Sequence, residues 1–377
     1  MTWDSIVGQE EAVSQLRKAV NNEEVSHAYL FLGAEGSGQE SAARALASAM
    51  NCPKGGCGTC ATCKKIQNDM HPDVIRVEPE GNFFTIDQVR ELQQEIYLKP
   101  FEAPTKFYIL DEVDRMTVEA ANSLLKTLEE PPQHVVFILL TANLESLLPT
   151  IVSRCRIVRF KPVSSTALAD LLVSRYGVTQ AEADLFARLS GGVLIKAQKY
   201  AESGEDLELR GLVLEIVREI SNWDGLDLAD AAERIVENIK KPLDDLKKVQ
   251  KEKLEEIKEF ALDSAHAKRL NTMLTRKHKR KLNREEQERY REILSFFYSW
   301  YRDLMILKET SNPGLLINID CRSGLEKDAS RMSGVNAQTA IGAIKRAEER
   351  LKSNVNPQLA MEAMLLELKG LSQTPGP

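Results

Sequence analysis

A glycine-rich loop between an apolar run and a helical segment constrains this chain more than any other feature. The loop reads Gly33-Ala34-Glu35-Gly36-Ser37-Gly38-Gln39-Glu40, and it follows the apolar run Ala28-Tyr29-Leu30-Phe31-Leu32. A strand, a glycine loop and a helix in this order form the context in which G-x-x-x-x-G-K-[ST] cradles nucleotide phosphates. The order predicts a parallel α/β fold with a phosphate-type loop shaped by Gly33, Gly36 and Gly38.

The loop departs from the phosphate-binding pattern at its last two positions. Gln39 stands where the pattern has lysine, and Glu40 stands where it has serine or threonine. The lysine supplies a cation to the phosphates, and the hydroxyl holds Mg²⁺. Gln39 is neutral and Glu40 places a carboxylate beside the phosphate position, so we expect no ATP or Mg²⁺ to be bound by this chain.

The hydrophobic pattern divides the chain into three parts. Residues 1–161 alternate short apolar runs with helical periodicity, which is typical of a parallel α/β domain. The predicted strands cover residues 29–32, 74–77, 107–110, 135–140 and 157–160. Residues 162–207 read as a small helical module, and residues 208–377 are almost entirely helical and charged.

Polar residues follow two of the predicted strands. Asp111 and Glu112 end the apolar run 107–110, where a buried strand can present one carboxylate to Mg²⁺ and the other to an attacking water. Thr141 and Asn143 follow the run 135–140, where a polar group can orient that water, although such residues also end strands for turn formation alone. These residues predict a catalytic or formerly catalytic edge of the sheet.

Arg154, in Ser153-Arg154-Cys155, is a candidate for action on a neighbouring molecule. A guanidinium keeps its charge and can grip phosphate oxygens in two places. Supplied in trans, it stabilises charge that develops on a γ-phosphate. A surface ion pair is the alternative for a single arginine.

Four of the six cysteines fall in the segment 52–66, at Cys52, Cys57, Cys60 and Cys63. Four thiolates at this spacing suit tetrahedral Zn²⁺ in a closed structural site. The alternatives are an iron–sulfur cluster, disfavoured because the fourth cysteine lies upstream of the C-x2-C-x2-C run, and reduced thiols without metal.

Charge and hydropathy bound the remaining possibilities. With 50 basic and 56 acidic residues the net charge is −6, so any contact with nucleic acid must be local. Neither a membrane-spanning run nor a secretory signal is visible, which predicts a cytoplasmic protein. The segment 239–292 predicts a solvated helical hairpin, and its basic run 276–284 leaves a DNA-contacting patch as the alternative.

Taken together, these elements resemble the clamp-loader subunits of bacterial DNA polymerase III, which are AAA+ proteins. The resemblance spans nearly the whole chain. It rests on Val7-Gly8-Gln9, Ser26-His27-Ala28-Tyr29-Leu30-Phe31, the four cysteines, His71-Pro72-Asp73, Asp111-Glu112-Val113-Asp114-Arg115-Met116, Leu124-Leu125-Lys126-Thr127-Leu128-Glu129-Glu130-Pro131-Pro132, Leu148-Pro149-Thr150-Ile151-Val152-Ser153-Arg154-Cys155 and Asn354-Val355-Asn356-Pro357-Gln358-Leu359-Ala360.

The resemblance implies an AAA+ domain at 1–161, a helical lid at 162–207 and a helical collar at 208–377. It implies zinc on the four cysteines of the segment 52–66. By resemblance, Arg154 with Ser153 is the trans-acting finger, Asp111 and Glu112 are the Walker B pair, Asn143 or Thr141 is the first sensor, and Lys196 is the second.

The implied partners are gamma/tau motor subunits and a delta subunit in a hetero-pentamer, with the sliding clamp and primed DNA reached through the complex. The chain itself would then have no ATPase activity. It would be a subunit of a DNA-directed DNA polymerase, which is a nucleotidyltransferase. Two other hypotheses stay open at this point. One is a working clamp-loader ATPase, and the other is a zinc-dependent nucleic-acid binder that uses the basic run.

Overall fold

The structure is a computed structural model that describes residues 2–79, 83–260, 264–310, 312–353 and 355–372. The chain forms two compact units, Met1–Gln198 and Lys199–Pro377. The boundaries at 161 and 207 stay predictions. The strands are β1 Ala28–Leu32, β2 Val74–Val77, β3 Lys106–Leu110, β4 Val135–Thr141 and β5 Arg156–Arg159. The helices are α1 Glu10–Asn21, α2 Gln39–Asn51, α3 Ala61–Gln67, α4 Ile86–Ile96, α5 Val118–Glu129, α6 Pro149–Val152, α7 Ser165–Tyr176, α8 Gln180–Leu189, α9 Leu194–Glu202, α10 Glu205–Glu219, α11 Gly225–Phe260, α12 Ser264–Thr310, α13 Arg322–Arg331, α14 Gly334–Lys352 and α15 Pro357–Ser372.

The first unit contains a five-stranded sheet of order β2-β3-β4-β1-β5, and every neighbouring pair is parallel. Each strand lies within one residue of its predicted ends. The predicted parallel α/β fold is therefore confirmed. Apolar runs identify these strands well because a parallel sheet is covered by helices on both faces, so its strands carry few polar residues.

Successive residues of the central strands enter two separate cores. Val135, Phe137 and Leu139 of β4 pack with residues of α4 and α5 on one face. Val136 and Ile138 pack with residues of α1 and α2 on the other. Every residue of β3 and β4 is buried, which holds the ends of these strands in fixed positions. The carboxyl ends of the strands form one edge, where ligands bind in sheets of this kind.

After β5 the chain forms α7 and α8, and the segment just before α9 then contacts the glycine loop. α7 begins at an N-cap, Ser164, whose hydroxyl accepts from the backbone N–H of Ala167, and α8 begins at a capping box built by Thr179 and Glu182. A Cβ on Gly36 (φ +79°) would lie 2.9 Å from a methyl group of Val193, just before α9. The absence of a side chain at Gly36 lets this segment cover the loop.

The second unit is helical, as predicted, and the described residues of the segment 239–292 lie in α11 and α12, which pack against each other. The side chains of Arg276, Lys277, Arg280 and Lys281, in the basic run, lie outside the described residues. Among the described residues, no helix is long and apolar enough to cross a membrane.

A buried carboxylate organises the second unit. Asp303, on α12, is fully buried and accepts hydrogen bonds from the backbone N–H groups of Ile317 (2.9 Å) and Asn318 (2.8 Å). The side-chain amide of Asn318 donates to the same carboxylate at 3.0 Å, and its oxygen accepts from Arg210. Arg210 also forms a bidentate pair with Asp320. The network fixes the loop after α12 against the helices because a buried charge is tolerated only when it is fully hydrogen-bonded.

Removing this carboxylate should destabilise the second unit. Asp303→Ala leaves several buried donors unsatisfied, so we expect the free energy of unfolding to fall by about 2–4 kcal/mol. Urea unfolding followed by tryptophan fluorescence measures this, since Trp223 and Trp300 both lie in the unit. Asp245→Asn is the control, because Asp245 is exposed and pairs with Lys248 on the surface, where a loss below about 0.5 kcal/mol is expected. Equal losses in the two variants would contradict the role of Asp303.

Candidate functional site

The glycine loop begins and ends at glycines that are favoured for different reasons. A Cβ on Gly33 would lie 2.8 Å from Phe160 Cβ and from the Phe160 carbonyl oxygen, so only glycine fits beside the end of β5. Gly38 has φ +104°, in the left-handed region, and α2 begins at the next residue. The loop therefore has the strand–loop–helix geometry that its spacing predicts.

The side chain of Gln39 is turned into the protein. Gln39 is buried, and its Nε2 donates to the carbonyl oxygens of Gly33 (2.8 Å) and Thr141 (3.2 Å), with Phe31 O at 3.4 Å. The amide thus links the start of the loop to the ends of β1 and β4. It presents no cation at the position where the phosphate-binding pattern has one.

Gln9 links the other side of the loop to the end of the sheet. Its Nε2 donates to Ser37 O (2.9 Å) and to Lys161 O (2.6 Å), and its Oε1 accepts from the backbone N–H of Lys161 (3.0 Å). The side chain is 4% exposed. Gln9 thereby joins Ser37 of the glycine loop to Lys161, just after β5, which lies about 150 residues from Gln9 in the chain.

A cluster of charges fills the edge beside the loop. Arg76 projects from β2, and its Nη2 lies 3.0 Å from Glu40 Oε1 and 3.2 Å from Glu78 Oε1, and it also donates to Asp111 Oδ2. Burial alone would lower the pKa of Arg76, but the carboxylates of Glu40 and Asp111 raise it, so the group stays charged. Arg44 pairs with the second oxygen of Glu40 at 3.3 Å.

Glu112 does not point into open space above the sheet. Its Oε2 lies 2.6 Å from Nε of Arg115, and its backbone is left-handed, with φ 49°. An unusual backbone conformation at the end of a central strand is typical of functional edges. In this chain the carboxylate expected to activate water is instead paired with the neighbouring arginine.

Of the two candidate first-sensor residues, Thr141 lies closer to the loop. Thr141 is buried, its carbonyl oxygen accepts from Gly33 N and Gln39, and its hydroxyl donates to Asp114 Oδ1 at 3.0 Å. Asn143 is exposed, and its Oδ1 accepts from the backbone N–H of Glu145, which closes a turn. Lys196, the candidate second sensor, lies on α9 and is partly buried.

Arg154 lies at the surface of the first unit, after α6. Its side chain is 32% exposed, and Nη2 donates to Glu129 at the end of α5. Nη1 donates to Thr150 O (2.9 Å) and approaches Ser153 Oγ (3.3 Å), while Ser153 Oγ also donates to Thr150 O. Ser153 and Thr150 of α6 thus hold the guanidinium in position.

The four clustered cysteines converge as a metal site requires. Their sulfur atoms all lie within 4.8 Å of one another, and Cys52 Sγ lies 3.7 Å from Cys57 Sγ and 3.6 Å from Cys60 Sγ. Zinc bonds of 2.3 Å in a tetrahedron place sulfur atoms about 3.8 Å apart. A disulfide needs about 2.05 Å, so these distances fit a metal and not disulfides.

Backbone donors stabilise two of these sulfurs as thiolates. The N–H groups of Thr59 and Cys60 lower the pKa of Cys57 to about 5. Burial raises the pKa of Cys52, but donors from Cys57, Lys54 and Gly56 outweigh it and the net direction is down. Burial raises the pKa of Cys63 to about 12. A cation at the centre of the cluster would favour the thiolate form of every one of these ligands.

Two residues of the edge escape prediction from the sequence. Arg76 carries only the signal of one charged residue in the apolar strand Val74-Ile75-Arg76-Val77, and its partners lie about 35 residues away along the chain. Gln9 belongs to a motif that marks the family, without any indication of its contacts. Both were missed because long-range contacts give them their roles.

The parallel sheet, its glycine loop and the helical part that follows define an AAA+ type of subunit. Residues 8–164 match the family described as DNA polymerase III, delta subunit, and residues 250–370 match the family described as DNA polymerase III, delta subunit, C terminal. Together these two matches span most of the chain, which is similar to the delta' subunits of DNA polymerase III.

Proteins similar to this chain include subunits of DNA polymerase III. DNA polymerase III subunit delta' of Bacillus subtilis (strain 168) is 29% identical over 364 residues, which cover 96% of each chain. DNA polymerase III subunit tau of the same organism is 39% identical over 170 residues, 44% of this chain and 30% of tau. A solved gamma subunit-related protein of Thermotoga maritima is 18% identical, with a TM-score of 0.46, over 95% of this chain and 99% of that one.

The cysteine geometry predicts a zinc content that mutation removes. Protein expressed with zinc should carry about one equivalent, and Cys63→Ala should lose it and melt at a lower temperature, because the site contributes folding energy. Elemental analysis with differential scanning fluorimetry measures both. Cys155→Ala is the control, since Cys155 lies outside the cluster and its variant should keep the metal. Iron with visible absorbance would instead identify an iron–sulfur cluster, and unchanged zinc in Cys63→Ala would rule out these ligands.

Proposed function

We propose that this chain is a non-hydrolysing subunit of the DNA polymerase III clamp loader. It donates Arg154 to the ATP site of a neighbouring motor subunit, and through the complex it supports loading of the sliding clamp onto primed DNA. The observation that carries this proposal is a contrast within one unit. In the loop that would bind ATP, the neutral amide of Gln39 turns inward where the pattern has a cation, while Arg154 is partly exposed at the surface and held by hydrogen bonds.

The chain's own edge is poorly suited to bind Mg·ATP. Gln39 provides no cation, and Glu40 places its carboxylate in the first turn of α2, where the helix dipole favours an anion. A bound phosphate would have to displace or face this carboxylate, because both need the same helix start. Electrostatic repulsion therefore opposes nucleotide binding, and the backbone N–H groups alone cannot offset it.

Arg154 is held in a position from which it can be exchanged. Its partner Glu129 is 47% exposed, so the pair is weak in water and costs little to open. A γ-phosphate carries more negative charge than one carboxylate and accepts a bidentate guanidinium. We therefore infer that Arg154 leaves Glu129 for the phosphate when the neighbouring site is filled, and that Ser153 and Thr150 keep it near the surface.

The cysteine cluster has a structural role in this proposal. Cys52 ends α2 and Cys60 begins α3, so a Zn²⁺ ion at the cluster ties the helix after the glycine loop to the next helix. Zinc bound by four thiolates has no open position for water, and it supplies folding energy and no catalysis. Cys52, Cys57, Cys60 and Cys63 would be its ligands.

The partners of the complex follow from the family. Motor subunits of the gamma/tau type and a delta subunit would complete a hetero-pentamer, with residues 208–377 as the collar that joins the subunits in the cytoplasm. The sensor positions would be held by Thr141 or Asn143 and by Lys196, and the Walker B positions by Asp111 and Glu112. None of these residues would act on a nucleotide bound by this chain. The working-ATPase hypothesis is disfavoured because Asp111 and Glu112 are both committed to arginines.

Replacing Arg154 tests the donor role. In a clamp loader reconstituted with its motor and delta subunits, Arg154→Ala should slow hydrolysis at the served site by about 10³-fold or more, because charge on the γ-phosphate loses its partner. Single-turnover ATP hydrolysis with primed DNA and a clamp-loading assay measure this.

The matched control is Arg156→Ala, an exposed arginine two residues away on β5. Both variants should assemble normally by size-exclusion chromatography. If the complex that contains Arg154→Ala hydrolyses ATP and loads the clamp as well as the complex that contains Arg156→Ala, the donor role is wrong.

The closed loop gives a separate prediction for the isolated chain. Titration calorimetry with Mg·ATP should detect no binding at micromolar concentrations, where a Kd of 1 μM would correspond to about −8 kcal/mol. The motor subunit of the same complex, titrated under identical conditions, is the positive control. Saturable micromolar binding by this chain would revive the ATPase hypothesis.

A further inference from the structure

Arg76 occupies a position between groups that would hold a metal ion in a nucleotide-binding relative. Glu40 stands at the loop position whose hydroxyl holds Mg²⁺, and Asp111 stands at the end of β3, whose carboxylate holds it from the other side. One nitrogen of Arg76 contacts both carboxylates. Glu78, just after β2, adds a third carboxylate at 3.2 Å from the same nitrogen.

Three carboxylates from three segments thus converge on one cationic atom. This arrangement resembles the coordination of a divalent cation by oxygen ligands more than an ordinary surface ion pair, which joins two groups. The guanidinium is 19% exposed, and its Nε is buried with no hydrogen-bond partner among the described residues. A buried donor without a partner costs free energy. Charge attraction to the three carboxylates, and not hydrogen bonding alone, therefore accounts for the position of the Arg76 guanidinium.

We propose that the Glu40–Arg76–Asp111 cluster is a built-in substitute for the magnesium–phosphate pair of an AAA+ nucleotide site. Glu40 supplies the anion at the start of α2, and Arg76 supplies the cation that joins it to the end of β3. This inference deepens the proposed function and rests on it, since it explains how the edge stays ordered without nucleotide.

The substitution has two physical consequences. The position of the metal is already filled by a group that does not lose its charge and does not exchange with solvent ions. In addition, three carboxylates outnumber the one guanidinium at this point, so the edge repels a triphosphate even with Arg44 beside Glu40. The cluster also gives Asp111 a role, because Asp111 helps to hold β2, β3 and α2 together as a bound metal ion would.

Removing Arg76 should turn the cluster into a divalent-cation site. In Arg76→Met the three carboxylates lose the guanidinium that they share, so the isolated chain should melt at a lower temperature. Added Mn²⁺ or Mg²⁺ should restore the melting temperature. Manganese binding is measured directly by electron paramagnetic resonance on zinc-loaded protein, in buffer freed of other divalent cations without a chelator. The wild-type chain should show neither the restoration nor the bound manganese.

Three further variants define the ligands. Arg90→Met removes an exposed arginine of α4 and should behave as wild type. Arg76→Met/Glu40→Gln/Asp111→Asn should fold and bind Mn²⁺ at least about tenfold more weakly than Arg76→Met, because oxygen ligand charge sets the affinity. If Arg76→Met alone does not fold, Arg76→Met/Glu78→Gln carries the test, since it keeps the two key carboxylates with less repulsion.

The outcomes separate this inference from the proposed function. Bound Mn²⁺ that depends on Glu40 and Asp111 supports the substitution. The substitution is overturned if Arg76→Met folds but does not bind Mn²⁺, or if binding survives the loss of Glu40 and Asp111. It is also overturned if neither Arg76→Met nor Arg76→Met/Glu78→Gln folds with Mn²⁺ present. The Arg154 test uses the assembled complex, so either proposal can fail while the other stands.

Discussion

A single guanidinium determines what the nucleotide edge of this chain can do. Arg76 meets the carboxylates of Glu40, Glu78 and Asp111 through one nitrogen, and in doing so connects the second strand, the third strand and the helix after the glycine loop. Each of these groups would repel the others without it, because like charges at short range in a partly buried site are poorly screened. The cation therefore stabilises the arrangement of carboxylates at this edge of the sheet.

The inward-facing Gln39 and the partly exposed Arg154 are the two features on which the proposed function rests. Gln39 and Gln9 tie the loop to the ends of strands with neutral amides, so the loop keeps its shape without phosphate. Arg154 lies elsewhere on the same unit, supported by Ser153 and Thr150. Under the proposed function, this arrangement would let the subunit present Arg154 to a neighbour without binding a nucleotide itself.

Buried charge recurs as an organising device in the second unit. Asp303 is fully buried and binds the backbone after α12, while Arg210 joins Asn318 and Asp320. An unpaired polar group is costly inside a protein, so such a network is stable only in the arrangement that satisfies its members. It adds this specificity to the apolar packing of the helices.

The sequence by itself determined the layers of the first unit, the strands and the cysteine ligand set. Apolar runs such as Val135–Thr141 are bounded by turn residues, and the spacing of Cys52 to Cys63 is local, so both can be recognised along the chain. It also determined that the loop lacks its cation, since Gln39 and Glu40 can be read directly. Only the tertiary structure decided which groups meet beside the loop. Arg76 meets Glu40 and Asp111 because β2 lies beside β3 and opposite the start of α2, and long-range pairing of this kind leaves no periodic signal in a single chain. The same holds for Thr141, which the fold brings to the loop, whereas Asn143 closes a turn.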